Sequence, residues 1–206
     1  MPRSSVIDRC RYPPLKLPRL PLTLTAWEAL FERLGLQIAG PPIDRTILIV
    51  GGAGGVGSVA IQLAHLVPGL TVIATASRAQ SRGWCERLGA HAVIDHFSDM
   101  AAQLASLGRA SPDLILLLND PDRHYPALAE ILAPQGKICS IVPFEQPPDM
   151  NLIMRKSASF MWEFMFTKPM FAKPCRMPCV YRALENCARQ KPVQLPRTVL
   201  SLGDTR

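Results

Sequence analysis

Gly52, Gly54 and Gly57 stand in a G-x-G-x-x-G spacing inside the stretch TILIVGGAGGVGSVAIQLA. That spacing lets a backbone turn offer bare peptide N–H groups to the pyrophosphate of a dinucleotide. Gly52 allows the tight turn out of a strand. Gly54 lacks a Cβ, so the chain can approach the phosphates. Gly57 lets the following helix pack close to the sheet. The helix N-terminus beyond it adds unpaired N–H groups and a positive dipole end, both of which favour an anion. Glycine-rich turns also serve plain packing. The context here favours binding, because an apolar β-branched run precedes the turn and an amphipathic helix follows it.

An NAD-specific fold carries a carboxylate about 20 residues past the glycines, where it bonds the ribose hydroxyls. This chain reads Ser77-Arg78 at that place, with Arg82 shortly after. A carboxylate would repel a 2′-phosphate, whereas a guanidinium pairs with one bidentately, so the charge favours NADPH over NADH. A solvated helix start is the other reading of Arg78 and Arg82. His96 follows a short apolar strand, where a surface or core role competes with a coenzyme contact. Asn119 could hydrogen-bond a ribose or an amide, or cap the loop before Pro121. His124 and Tyr125 could donate a proton, but they suit a helix start better. No side chain stands out as an obligatory acid or base, and there is no nucleophile elbow or G-K-[ST] phosphate loop. Cys175, Cys179 and Cys187 are spaced C-x3-C-x7-C, without the close ligand pair and fourth ligand of a tetrahedral zinc site. No metal ligand set is therefore expected.

These residues need elements to hold them. Thr25 and Glu28 have the spacing of a capping box, and Trp27, Leu30, Phe31 and Leu34 then recur at helical spacing until Gly35. Strands and helices alternate after Gly40-Pro41-Pro42. Strands are expected at about 46–50, 70–76, 92–94, 114–118 and 137–142. Helices are expected at about 55–66, 80–88, 100–107 and 125–132. Continuous apolar strands between helices imply a parallel sheet covered on both faces, and right-handed crossovers make it doubly wound. The fold class is α/β, a Rossmann doubly wound parallel sheet with helices on both faces. Its ligand belongs at the carboxyl ends of the strands. The segment SASFMWEFMF, residues 157–166, fits a strand or a helix. As a strand it is an aromatic sheet edge that a second subunit would cover; packing within one subunit is the alternative.

Charge divides the 206 residues into three parts. Residues 1–21 carry net +4 and residues 172–206 net +5, while 22–171 carry net −2. Nine of the 20 prolines lie in the two flanks. The expected organisation is an irregular basic arm (1–21), a Rossmann domain (22–171) and an irregular proline-rich basic tail (172–206). A nucleic-acid binder would carry its basic face on the folded part, so that class is disfavoured. No apolar run approaches the roughly 20 residues of a membrane span, and the N-terminus lacks the apolar core of a secretory signal. The six cysteines do not form a disulfide scaffold, and a cytoplasmic setting is expected.

The pieces LPLTLTAWEALFERLGL, ILIVGGAGGVGSVAIQLA, VIATASR, LGAHAVIDH, LAPQGKICSIV and KSASFMWEFMFTKPMF occur in one order. Together they resemble the medium-chain dehydrogenase/reductase superfamily, most closely its quinone oxidoreductase and zinc-binding alcohol dehydrogenase-like branch. The resemblance implies a nicotinamide dinucleotide, usually NADPH, a quinone or enone substrate, and commonly a homodimer, here through the 157–166 segment. It implies that Thr25 lies near the nicotinamide and that Ala53, Gly54, Gly55 and Val56 hold the pyrophosphate. Ser77, His96, Asn119 and the backbone around Val142 would line the rest of the groove. Members of the family also carry an N-terminal β-rich domain that walls the substrate cleft. The 21 residues of the basic arm do not resemble it, which leaves catalytic competence open. The alternatives are a non-catalytic dinucleotide-binding module, a methyltransferase on the same fold, and an interaction protein with basic flanks.

Overall fold

The apolar runs between turn signals become a single parallel sheet in the computed structural model, which describes residues 20–171. Its strands are β1 (Arg45–Val50), β2 (Leu70–Thr75), β3 (Ala92–Ile94), β4 (Leu114–Leu117), β5 (Lys137–Ser140) and β6 (Ser159–Trp162). They lie in the order β3-β2-β1-β4-β5-β6, and every pairing is parallel. The order reverses between β1 and β4, which opens the crevice where such sheets take their ligand. In register, Ile47 of β1 faces Val72 of β2 on one side and Leu114 of β4 on the other.

Alternation along each strand explains why these runs are apolar throughout. Ile47, Ile49, Val72, Ala74, Leu114 and Leu116 pack into one core layer. Leu48, Val50, Ile73, Ile115, Leu117 and Ile138 pack into the other. Both faces are covered, so neither parity of the pleat can be polar. The first layer holds α1 (Leu20–Trp27), α2 (Gly55–His65) and Cys85 of α3 (Ala79–Arg87). The second holds Met100 and Leu104 of α4 (Met100–Ser106), Tyr125, Leu128 and Ile131 of α5 (Pro121–Ile131), and Ile153 of α6 (Asn151–Met154). A last short helix, α7, spans Thr167–Met170.

Two local expectations are corrected and one open alternative is resolved. The first helix does not begin at a Thr25 cap. Helix α1 already includes Leu20 and Pro21, and the Thr25 hydroxyl donates back to the Pro21 carbonyl at 2.9 Å. A helix packed on α2 gains from burying the earlier turn, and a threonine inside a helix satisfies its hydroxyl on the preceding turn. Beyond Trp27 the chain widens into a π-helical turn, Glu28–Arg33, where the Leu34 N–H reaches the Ala29 carbonyl five residues back at 2.9 Å. Gly35 (φ +80°) ends it as expected. The fourth crossover helix starts at Pro121 instead of Tyr125, because proline suits a first helical turn that needs no N–H. The ambiguous aromatic segment resolves into the edge strand β6, followed by Glu163–Phe171.

Candidate functional site

All six strands run in parallel, so their carboxyl ends share one edge, and the glycine turn stands at its centre where β1 meets β4. Gly51 makes the sharp turn out of β1, at φ +84°. A Cβ there would lie 2.6 Å from Asn119 Oδ1. The tight-turn role expected of Gly52 therefore belongs to Gly51, and Gly52 serves close packing. A Cβ on Gly52 would come within 2.8 Å of the Ala74 Cβ and 3.2 Å of Ile61 Cδ1. At Gly57 a Cβ would sit 2.7 Å from the Gly52 carbonyl oxygen, and closer still to that of Gly51. The helix thus abuts the turn itself. Gly54 is different: a Cβ would meet only the Gly51 oxygen, at 3.3 Å, and the residue is exposed.

Hydrogen bonds hold the turn without consuming its central amides. Gly51 N–H donates to Thr75 Oγ1 (3.0 Å), Gly52 N–H to the Thr75 carbonyl (3.2 Å) and Gly54 N–H to the Gly51 carbonyl (3.1 Å). Ser58 N–H donates to the Gly54 carbonyl at 2.8 Å, closing the first turn of α2. Among the described residues, the amides of Ala53, Gly55, Val56 and Gly57 have no acceptor. Four donors at the positive end of a three-turn helix can hold a phosphate pair.

Two buried polar atoms on the same edge are also unpartnered. Asn119 Oδ1, just past β4, has no donor, although it lies against Gly51. Asn119 therefore does not act as a cap through that oxygen; the residue before α5 is Asp120, at φ 44°. His96 Nδ1, just past β3, is likewise buried without a partner. Its ring packs 4.2 Å from Phe97 and 5.5 Å from the ring of His124, edge on. Burial lowers the pKa of both histidines from 6.5, and the nearby Arg123 lowers them further. Both rings are neutral at pH 7 and can accept as well as donate. The orphaned oxygen, the orphaned nitrogen and the free amides together fit a ligand carrying hydroxyls, an amine and phosphates.

The remaining expected residues separate. Ser77 and Arg78 are exposed where β2 ends and α3 begins, and the Arg78 guanidinium makes no ion pair or hydrogen bond among the described residues. Arg82 is committed elsewhere: it donates to the carbonyls of Ala76 (3.3 Å) and Val93 (2.6 Å), tying β2 to β3. Val142, past β5, has its carbonyl and amide engaged by the Ser140 hydroxyl at 2.9 and 3.3 Å. Thr25 is buried on α1, and its hydroxyl reaches Pro21 and, at 3.5 Å, the Met165 sulfur. Tyr125 is a core pillar whose ring packs edge-on to Phe144 and Phe160, and burial raises its pKa. Sequence reasoning missed Gly51 and the pairing of His124 with His96. The adjacent Gly51-Gly52 pair was the available signal for the first; the second arises only from folding.

No group of three or more His, Cys, Asp or Glu among the described residues could hold a metal ion. Cys175, Cys179 and Cys187 lie outside the described residues. No described helix is long and apolar enough to cross a membrane.

Comparison with known proteins places this arrangement. The sequence profile of the zinc-binding dehydrogenase family matches residues 55–176. A zinc-type alcohol dehydrogenase-like protein of Staphylococcus aureus MRSA252 is 40% identical over 159 residues, which cover 75% of this chain and 47% of that protein. The chain thus spans about half the length of the curated relatives it matches. A solved protein from Rhizobium etli CFN 42, described as a zinc-dependent alcohol dehydrogenase, superposes with a TM-score of 0.73 at 44% identity, over 84% of this chain and 51% of that one. A quinone oxidoreductase of Pseudomonas syringae pv. tomato DC3000 shares the fold at 20% identity and a TM-score of 0.68, over 84% of this chain and 52% of that one.

Proposed function

The chain belongs to the zinc-binding dehydrogenase family, within the medium-chain dehydrogenase/reductase superfamily, and from that premise we propose that it binds NADPH at the carboxyl edge of its sheet and serves hydride transfer to a quinone or enone. The observation that carries this reading is the set of unengaged amides at Ala53, Gly55, Val56 and Gly57. The nicotinamide supplies the hydride; the protein orients it and excludes water. The amides take the pyrophosphate. Asn119 Oδ1 accepts from a ribose hydroxyl, and His96 Nδ1 exchanges a hydrogen bond with the adenosine half. Arg78 pairs with the 2′-phosphate, and the sequence at the end of β2, Ala76-Ser77-Arg78, carries no acidic residue to select NADH. The two described cysteines, Cys85 and Cys139, are free thiols, in keeping with the cytosol.

Titration of the full chain with NADPH and NADH tests the reading. A charge-assisted contact worth about 1.5–3 kcal/mol gives NADPH an advantage of roughly 10- to 150-fold, which Arg78→Ala removes. Equal affinities in the parent protein, or no binding, refute it. The non-catalytic alternative draws on the burial of Tyr125, which takes the phenol among the described residues out of the chemistry. Quinone-dependent NADPH oxidation above the buffer rate excludes that alternative.

The partner of the β6 edge is a second copy of this chain in this proposal. Trp162 is 48% exposed on a strand that, among the described residues, pairs only with β5, and open edges associate unless blocked. Trp162→Lys gives a monomer by sedimentation, with a lowered melting temperature because its ring also packs on Phe144 and Phe160; a parent protein that is already monomeric refutes the pairing.

A further inference from the structure

Five charged side chains converge where β6 ends, at the carboxyl edge of the second mononucleotide half of the sheet. Glu28, Glu32 and Arg33 come from the π-helical turn; Glu163 follows β6 and Lys168 lies on α7. Arg33 Nε meets Glu163 Oε2 at 2.8 Å. Lys168 Nζ bridges Glu28 and Glu32, at 2.7 Å each. Hydrogen bonding five residues back widens the turn and swings residue 33 beneath residue 28. That is how Glu28 and Arg33 both reach Glu163.

The charges do not balance. Three carboxylates face two cations, with Glu28 only 1% and Glu163 only 2% exposed. A net buried charge of this kind is strongly disfavoured. Glu163 Oε1 has no donor, yet the Glu28 carboxyl lies within hydrogen-bonding reach of Glu163. Two carboxylates can bond only if one carries a proton. We propose that Glu28 and Glu163 hold a single proton between them, and that this proton fastens the segment Glu163–Phe171 onto the π-helical turn.

The added proton satisfies Glu163 Oε1 and brings the cluster to neutrality. The fastened segment also carries Met165, whose sulfur rests on the Thr25 hydroxyl, so Glu163 is a positioning residue for this end of the groove. Burial, followed by the neighbouring Glu28 carboxyl, raises the Glu163 pKa from 4.5 to about 7, against the pull of Arg33. The Cys139 thiol on β5 also faces the pair but is pushed up to about 12 by burial and stays neutral. The folded state binds more protons than the unfolded state between these limits. Docking is therefore strongest below the unfolded value of 4.5, weakens as pH rises from there towards about 7, and levels off above it.

Hydrogen–deuterium exchange of the full chain from about pH 5.5 to 8.5, corrected for intrinsic rates, reads the fastening directly. Protection of residues 163–171 falls by up to roughly tenfold per pH unit from about pH 5.5 to 7, the slope of a one-proton linkage, and levels off above that. Glu163→Gln and Glu28→Gln, each supplying a permanent donor, abolish that slope. The infrared band of a protonated carboxyl, present at pH 6 in the parent protein, disappears in both. A flat parent profile, a missing band, or a slope retained in Glu163→Gln overturns the proposal. If a variant does not fold, the parent profile and band still decide. None of these readouts involves a coenzyme, so the outcome is separate from that for NADPH binding.

Discussion

Gly54→Ala separates coenzyme binding from folding more cleanly than any other change in this protein. The backbone at Gly54 is extended, at φ −71° and ψ 176°, which alanine adopts without strain. Its new Cβ would touch only the Gly51 carbonyl oxygen, at 3.3 Å. The position precedes α2, where glycine is a better cap than alanine, so the fold loses about 0.5–1 kcal/mol. That corresponds to a fall in Tm of about 1–4 °C for a chain of this size.

Binding suffers far more. The methyl stands on the open side of the turn, among the free amides of Ala53, Gly55, Val56 and Gly57. A hydrogen bond to a charged partner is worth about 1.5–3 kcal/mol, so holding the pyrophosphate away from two amides removes about 3–6 kcal/mol. The dissociation constant for NADPH then rises on the order of 10²- to 10⁴-fold. Calorimetric titration and a melting curve on the same sample measure both effects. Affinity within about threefold of the parent protein, with the fold intact, refutes the assignment of these amides to phosphate. A collapse of the fold would instead refute the claim that space is open at Gly54.

The neighbouring positions behave differently. Gly57→Ala drives a methyl into the carbonyls of Gly51 and Gly52 and destabilises by about 3 kcal/mol, read from the denaturant midpoint; an unchanged midpoint contradicts the packing. Arg82→Met releases the carbonyls of Ala76 and Val93, lowering stability by about 1–3 kcal/mol while leaving any preference for NADPH intact. Loss of that preference in Arg82→Met would shift the phosphate role from Arg78 to Arg82. His124 is buried and neutral, so the unfolded chain binds its proton first and stability falls as pH drops below 6.5. His124→Gln flattens that acid limb in pH-dependent melting, and an unaltered limb places the titration elsewhere.

The alternation of elements was legible because a parallel sheet buried on both faces leaves a direct trace. Ile47 through Val50 and Leu114 through Leu117 must all be apolar, and each run must stop at a turn. The glycine turn was legible for a similar reason: a backbone that must leave a strand and abut a helix within seven residues has few options besides glycine. Local rules failed where packing outweighed them. Thr25 and Glu28 have the spacing of a cap, yet burial against α2 extends the helix through them. The tight turn expected at Gly52 falls on Gly51 because φ at a turn depends on what lies across it, here Asn119, 68 residues away in the chain.

Sequence alone therefore determined the order of strands and helices, the glycine turn and the lack of an acidic residue after β2, since each follows from neighbours along the chain. Only the tertiary structure decided which arginine is free, since Arg78 and Arg82 differ in the carbonyls within their reach and not in residue type. It alone set His96 against His124 and brought Glu163 to Arg33 across 130 residues. Charge and burial at a point in space are sums over elements that the chain visits far apart, and linear spacing carries no record of them.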